Sequence, residues 1–110
     1  MSEDKLQAEC FMWHWNTYPT ERGRLFMVHN TPRNKIDGAR LKAMGMVAGV
    51  SDMIYLRANN PPLCIEFKTD SGRQAPAQME WQRVAEAVGC EYIIIRSFDE
   101  FKEAIHTDNT

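Results

Sequence analysis

The feature that most constrains this chain is the run Leu63-Cys64-Ile65-Glu66-Phe67-Lys68, an apolar segment that carries a carboxylate and an ammonium two residues apart. Side chains alternate along a strand, so Leu63, Ile65 and Phe67 share one face and Cys64, Glu66 and Lys68 the other. Glu66 and Lys68 then project side by side, roughly 6.6 Å apart along the strand. Charges at mid-strand are costly to bury unless they pair or bind something. The flanking sequence supplies the surroundings. Asn59-Asn60-Pro61-Pro62 is turn chemistry, and before it lies Ser51-Asp52-Met53-Ile54-Tyr55-Leu56. The two runs are expected to pair as a hairpin. A register that sets Asp52 beside Glu66 would bring two carboxylates and a lysine to one spot.

The remaining elements follow from periodicity and punctuation. Residues 3 to 16 read as a helix, with Leu6, Cys10 and Trp13 on one face and Ala8, Phe11, Met12 and Trp15 on the other. A helix apolar nearly all round is expected to be buried on two sides, by its own domain or by a second subunit. Glu9 falls at the edge of the Leu6/Trp13 stripe. Pro19 and Gly23 bound a turn, and 25 to 29 follows as a strand. The stretch from Asn30 to Gly49, with Pro32, Gly38 and Gly45, reads as a long loop holding a short helix around 36 to 44. Such loops are uncommon in compact domains and tend to be functional. After the polar loop 69 to 75, Pro76 suits the first position of a helix running to about Val88, with Gly89 ending it. Glu91 to Ile95 has the continuous apolar run of a fully buried strand. Ser97 and Glu100 form a capping box for a last helix over 98 to 106. The order α-β-β-β-α-β-α implies an α/β fold, a mixed central sheet flanked by helices in a single domain over 1–110.

Composition narrows the class. At 110 residues, 44% hydrophobic and 25% charged, the chain has the make-up of an ordinary globular domain, not of a disordered or collagen-like one. No apolar run approaches the ~20 residues that span a bilayer, and Met1-Ser2-Glu3-Asp4 is no signal peptide. The expectation is a cytoplasmic protein, or one in the cytoplasm of its host, without a membrane partner. Cys10, Cys64 and Cys90, with His14, His29 and His106, show no zinc spacing and read as free thiols and scattered imidazoles. The formal net charge of −2 hides an asymmetry: residues 22 to 42 carry six positives against Asp37 alone, a local +5. A tract of that kind can grip phosphates, although a solvated surface explains it equally well on charge alone.

Two carboxylates and a lysine at one place suit magnesium-dependent phosphodiester hydrolysis. Hard oxygens bind a hard cation that keeps several waters and can also take a phosphate oxygen. The lysine can orient or deprotonate the nucleophile, or offset charge on the transition state. The plainer alternative is a surface ion pair of Glu66 and Lys68, with Asp52 as a strand-entry residue. An acid-x-lysine triplet alone is a weak signal. The hairpin and the helix that follows strengthen it.

Gly49-Val50-Ser51-Asp52, Ile65-Glu66-Phe67-Lys68 and Arg73-Gln74-Ala75-Pro76-Ala77-Gln78 together resemble the virus-type replication-repair nuclease (VRR-NUC) domain of the PD-(D/E)XK nuclease superfamily. The resemblance spans nearly the whole chain, including the acid on the first helix and the trailing Gly-x-x-Tyr-Ile-Ile-Ile strand. Ser51 stands where the family commonly has proline. The resemblance implies a restriction-endonuclease-like core. Asp52 and Glu66 would be metal ligands, with the Phe67 carbonyl as a third, and Lys68 would be the catalytic lysine. Gln78 would sit beside the metal or the scissile phosphate, with Gln82 in support. Glu9 would bind the metal directly or through water, ahead of Glu3. Arg33, Lys35, Arg40, Lys42 and Arg73 would meet DNA. The implied cofactor is Mg²⁺ or Mn²⁺, and the implied activity that of a structure-specific endonuclease acting on branched DNA, as a homodimer akin to Holliday-junction resolvases. A flap-directed or nicking repair nuclease and a non-catalytic nucleic-acid-binding module are the alternatives. Trp13, Trp15 and Trp81 read as core or interface residues.

Overall fold

Asn59-Asn60-Pro61-Pro62 turns the chain as its composition requires, with Asn59 in the left-handed region at φ 63°. In the computed structural model, which describes residues 1–29 and 31–108, this turn joins β2 (Met53–Tyr55) to β3 (Leu63–Phe67). The two are antiparallel, with Met53 opposite Ile65 and Tyr55 opposite Leu63. Before them come α1 (Glu3–Thr17), a short 3₁₀ turn (Pro19–Glu21), β1 (Leu25–Met27) and α2 (Lys35–Ala43). After them come α3 (Pro76–Ala87), β4 (Glu91–Ile95) and α4 (Phe98–Asp108). The expected order therefore holds, with the short helix as a full element between the first two strands. Asn30, where the long basic stretch begins, lies outside the described residues.

The sheet runs β1-β2-β3-β4, antiparallel except for the parallel pair β3/β4. α3 supplies the crossover that a parallel pair needs. Only the central β3 is buried along its whole length. β4 differs from expectation: of its apolar run only Ile95 is buried, and Ile93 and Ile94 stay partly open. β4 is an edge strand, so one flank has no neighbour to cover it.

Alternation divides the sheet into two faces. Met53, Tyr55, Ile65 and Phe67 pack against Leu6 and Cys10 of α1 and Phe101 and Ile105 of α4, forming the core. Burial pushes the Cys10 thiol up to about 12, so it behaves as an inert apolar group. Trp13 fills the seam between the two helices, edge-on to Tyr18, Phe98 and Phe101 at 5.7–6.0 Å. Cys64 and Glu66 point to the other face, which α3 covers through Trp81, 6.2 Å from Tyr92. Of the tryptophans expected in the core or at an interface, Trp13 packs against the core, and Trp15 is 37% exposed. No helix among the described residues is long and apolar enough to cross a membrane.

One buried polar cluster ties α1 to the sheet. Glu21 Oε1 lies 2.9 Å from His14 Nε2 and accepts from the Tyr55 hydroxyl at 2.5 Å, and all three residues are buried. Burial raises the Glu21 carboxyl, but the Tyr55 and His14 hydrogen bonds override it and hold the group below its usual range. A depressed carboxyl contributes stability at pH above its unfolded value and loses it as pH falls through the folded one. Glu21→Leu, which strands the Tyr55 hydroxyl and His14, is expected to cost about 1–3 kcal/mol in urea unfolding at neutral pH. The deficit relative to wild type should shrink below pH ~4.5, near the ordinary glutamate value.

Candidate active site

Asp52 stands one step beyond the Met53–Ile65 pair, which puts it across from Glu66. Residues directly opposite in an antiparallel pair point to the same face, so the hairpin brings the two carboxylates together. The contact is held by backbone: the Phe67 N–H donates to Asp52 Oδ2 at 2.7 Å. Lys68 continues past the end of β3, its N–H donating to the Ile95 carbonyl at 3.0 Å. Its Nζ lies 3.8 Å from Glu66 Oε2. Asp52, Glu66, Phe67 and Lys68 thus meet as the spacing implied.

The two oxygens of Glu66 differ. Oε1 accepts from the Tyr92 hydroxyl and from Gln74 Nε2 at 3.1 Å. Oε2 is buried and has no hydrogen-bond partner, although Glu66 is 0% exposed. A buried carboxylate oxygen left without a donor is costly, and a cation is what would satisfy it. Asp52 points the same way. Burial raises its carboxyl above the usual range; the Phe67 N–H pulls it down, the Glu66 charge pushes it up, Lys68 lowers it and Glu3 raises it, with a net increase. The site holds more negative charge than its own lysine offsets. Among the described residues no three His, Cys, Asp or Glu side chains cluster as a metal cage. A cation here would have two carboxylates and draw its other ligands from backbone, water and substrate, which suits Mg²⁺.

Several predicted residues lie elsewhere. Gln78 Oε1 accepts from the Ala75 N–H at 2.8 Å, so its side chain caps the first turn of α3 and does not reach Glu66. Gln74 and Gln82 do the bridging: Gln74 Nε2 lies 2.9 Å from Gln82 Oε1. Of the two acids expected near the metal, Glu9 and Glu3, Glu3 is the one that approaches Lys68, and Asp4 beside it lines a small recess with Asp52. Glu3 Oε2 and Lys68 Cδ both lie 3.5 Å from where a Cβ on Gly72 would stand. Glu9 lines a separate recess with Asp70 and Arg96. Glu9 stands six positions after Glu3, about 9 Å along the helix and a third of a turn around it. Arg33 and Arg40 pair with the buried Asp37, at 3.7 and 2.8 Å. Lys35 and Lys42 line a different recess on α2 with Pro32 and Met46. Arg73 is exposed in the loop after Lys68.

Sequence reasoning missed Gln74, Tyr92 and Arg96. Arg96 Nη1 donates to the Thr69 and Gly72 carbonyls at 2.8 and 2.9 Å and secures the loop that follows Lys68. Tyr92 was within reach of an alternation argument, since parallel pairing aligns it with Cys64 and so with the Glu66 face.

No protein-family model matches the chain, and no curated protein does. Among solved structures, one described as a "VRR_NUC domain protein" is similar with a TM-score of 0.77 at 23% identity, over 98% of this chain and 88% of that one. The chain therefore shares its fold with that structure, and its mixed sheet flanked by helices is the architecture expected from the motifs.

Two outcomes test the geometry. Gly49 has φ +85°, and a Cβ there would stand 2.1 Å from the Ala77 carbonyl oxygen, so α3 packs directly on the backbone leading to Asp52. Gly49→Ala is expected to destabilise by at least about 2 kcal/mol in urea unfolding. Asp52, whose folded pKa is raised, costs stability at pH above that value and none below its unfolded value. Asp52→Asn should therefore melt a few degrees higher than wild type in metal-free buffer at pH 7.

Proposed function

We propose that this chain is a metal-dependent structure-specific DNA endonuclease that hydrolyses phosphodiester bonds through Asp52, Glu66 and Lys68. The observation that carries the reading is the pairing of a raised Asp52 with a Glu66 carboxylate whose Oε2 is buried and unpartnered beside Lys68. A catalytic fold can host many activities, so the site and not the architecture bears this argument. The solved structure's description as a VRR_NUC domain protein supports it.

A divalent cation held by Asp52 and Glu66, with the Phe67 carbonyl as a further ligand, would polarise the scissile phosphate and acidify a bound water. The chain's own residues do the rest. Tyr92 and Gln74 hold Glu66 Oε1 and so aim Oε2 at the site. The Phe67 N–H fixes Asp52 Oδ2 and leaves its other oxygen free of that bond. Lys68, mostly shielded from solvent, places its ammonium where negative charge grows on the phosphate oxygens, or where the attacking water must be oriented. Water adds to phosphorus, the bond to the leaving deoxyribose oxygen breaks, that oxygen takes up a proton, and a phosphate end and a hydroxyl end result. Glu3 is placed to assist by its position near Asp52.

Branched DNA is the proposed substrate, cut by a homodimer in the manner of a Holliday-junction resolvase, since paired cuts need two sites related by a two-fold axis. The basic α2 residues Lys35 and Lys42 would grip the backbone away from the cut.

Cleavage of a four-way junction, a flap and a plain duplex tests the proposal. Activity should require Mg²⁺ or Mn²⁺ and vanish with EDTA. Asp52→Asn and Glu66→Gln should lose at least about 10³-fold, and Lys68→Ala at least about 10²-fold. Symmetric junction cuts would support the resolvase form. Cutting of flaps alone would replace that form and keep the site. DNA binding without cutting under either metal would overturn the enzyme.

A further inference from the structure

The segment between β3 and α3 carries two of the side chains that approach Glu66. Lys68, at its start, lies 3.8 Å from Oε2, and Gln74, near its end, donates to Oε1 at 3.1 Å. The far end is fixed by Gln74 itself, which also donates to Gln82. The near end has no apolar anchor: Thr69-Asp70-Ser71-Gly72 is polar, and Asp70 and Ser71 are exposed. These four residues form a turn, in which the Gly72 N–H donates to the Thr69 carbonyl at 3.0 Å. Arg96 grips that turn from outside. Its Nη1 donates to the Thr69 and Gly72 carbonyls at 2.8 and 2.9 Å, with the Asp70 carbonyl at 3.5 Å. The backbone under Arg96 is itself fixed where β4 passes into α4. Its N–H donates to Glu100 Oε2 at 3.3 Å, and the preceding Ile95 carbonyl accepts the Lys68 N–H at 3.0 Å.

The turn in its place backs the lysine. A Cβ on Gly72 would stand 3.5 Å from Lys68 Cδ, an ordinary van der Waals contact, so the Gly72 backbone runs beside the stem. A lysine stem has four rotatable carbons, and at 3.8 Å the Glu66 contact is too long to be a hydrogen bond that locks it. Where the ammonium stands therefore depends on what the stem leans against. We propose that Arg96 is a positioning residue for the nuclease reaction: by fastening the Thr69–Gly72 turn against the Lys68 stem, it sets where the Lys68 ammonium meets the scissile phosphate. The proposal rests on the nuclease reading of Lys68. The competing role for Arg96 is a direct grip on DNA. Against it, Nη1 is committed to carbonyls of its own chain, and Glu9 and Asp70 line the same recess, where their charge opposes a phosphate. Misplacing a reacting group by about 1 Å costs up to about 10²-fold in rate, so a clamp remote from the substrate is enough to matter.

The test is a double-mutant cycle in the full chain, cutting branched DNA with Mg²⁺ or Mn²⁺. Arg96→Gln should lower kcat at least about tenfold and leave KM within about twofold. In the Lys68→Ala background the same substitution should cost nothing further, because the group it positions is gone. Arg96→Lys, with three donors for the same carbonyls, should recover most of the rate. Gly72→Val, which presses two methyls toward the stem and leaves Arg96 in place, should repeat the pattern and serves where Arg96→Gln fails to fold. An unchanged kcat would overturn the proposal. So would a loss of equal size with and without Lys68, or a raised KM that persists without Lys68 and marks a DNA contact. A readout without DNA separates the clamp from the nuclease. In protein isotope-labelled at lysine Cε, the Lys68 signal is identified by its loss in Lys68→Ala. It should show distinct shifts for the two ε hydrogens of a fixed stem, and Arg96→Gln should merge them. Shifts that stay distinct in Arg96→Gln would overturn the clamp whatever the activity. Merged shifts in a protein that cuts no DNA under either metal would leave the clamp and remove the nuclease.

Discussion

Everything in this molecule that bears on chemistry depends on a carboxylate buried at the end of a central strand with only one oxygen satisfied. Glu66 is enclosed by β2, β4 and α3, and Tyr92 and Gln74 both bond the same oxygen. The other oxygen faces a lysine at 3.8 Å, beyond hydrogen-bond range. A fold selected only for stability would replace such a group by a hydrocarbon, because burying a charge without a full set of partners is unfavourable. Its presence, next to a second carboxylate that burial has already pushed up, is what the proposed cation would account for.

The rest of the fold positions that group. The hairpin sets Asp52 opposite Glu66, and the Phe67 N–H fixes its angle. Gly49 lets α3 approach the backbone leading to Asp52, and Gln82 of α3 accepts from Gln74, which in turn donates to Glu66. Arg96, at the end of β4, holds the loop after Lys68 by two carbonyls and sets where that loop leaves the sheet. The core beneath, from Leu6 to Ile105, keeps α1 and α4 on the opposite face.

What the sequence made legible was local. The turn at Asn59–Pro62, Pro76 and Gly89 around α3, and the alternation in Leu63–Lys68 each state their structure within a few residues, and they place Asp52, Glu66 and Lys68 together. What escaped was anything that needs a helix rotation or a strand's depth in the sheet. Glu9 and Glu3 share a helix, and only its orientation on the sheet shows that Glu3 is the one near Asp52. Gln78 and Gln74 lie one helical turn apart in sequence, and only the capping geometry shows which of them reaches Glu66. The apolar run of β4 looked buried because strand order is not written in composition; at the edge it is only half covered.

The most direct measurement is the anomalous map of crystals of the wild-type protein soaked in Mn²⁺. The account predicts a peak between Asp52 and Glu66 Oε2, with the Phe67 carbonyl turned toward it and Lys68 Nζ displaced from Glu66 but still beside the ion. A map with no peak there at saturating Mn²⁺, and with the Lys68–Glu66 contact kept as it is in the free protein, would contradict the account and leave the pair as a buried structural contact.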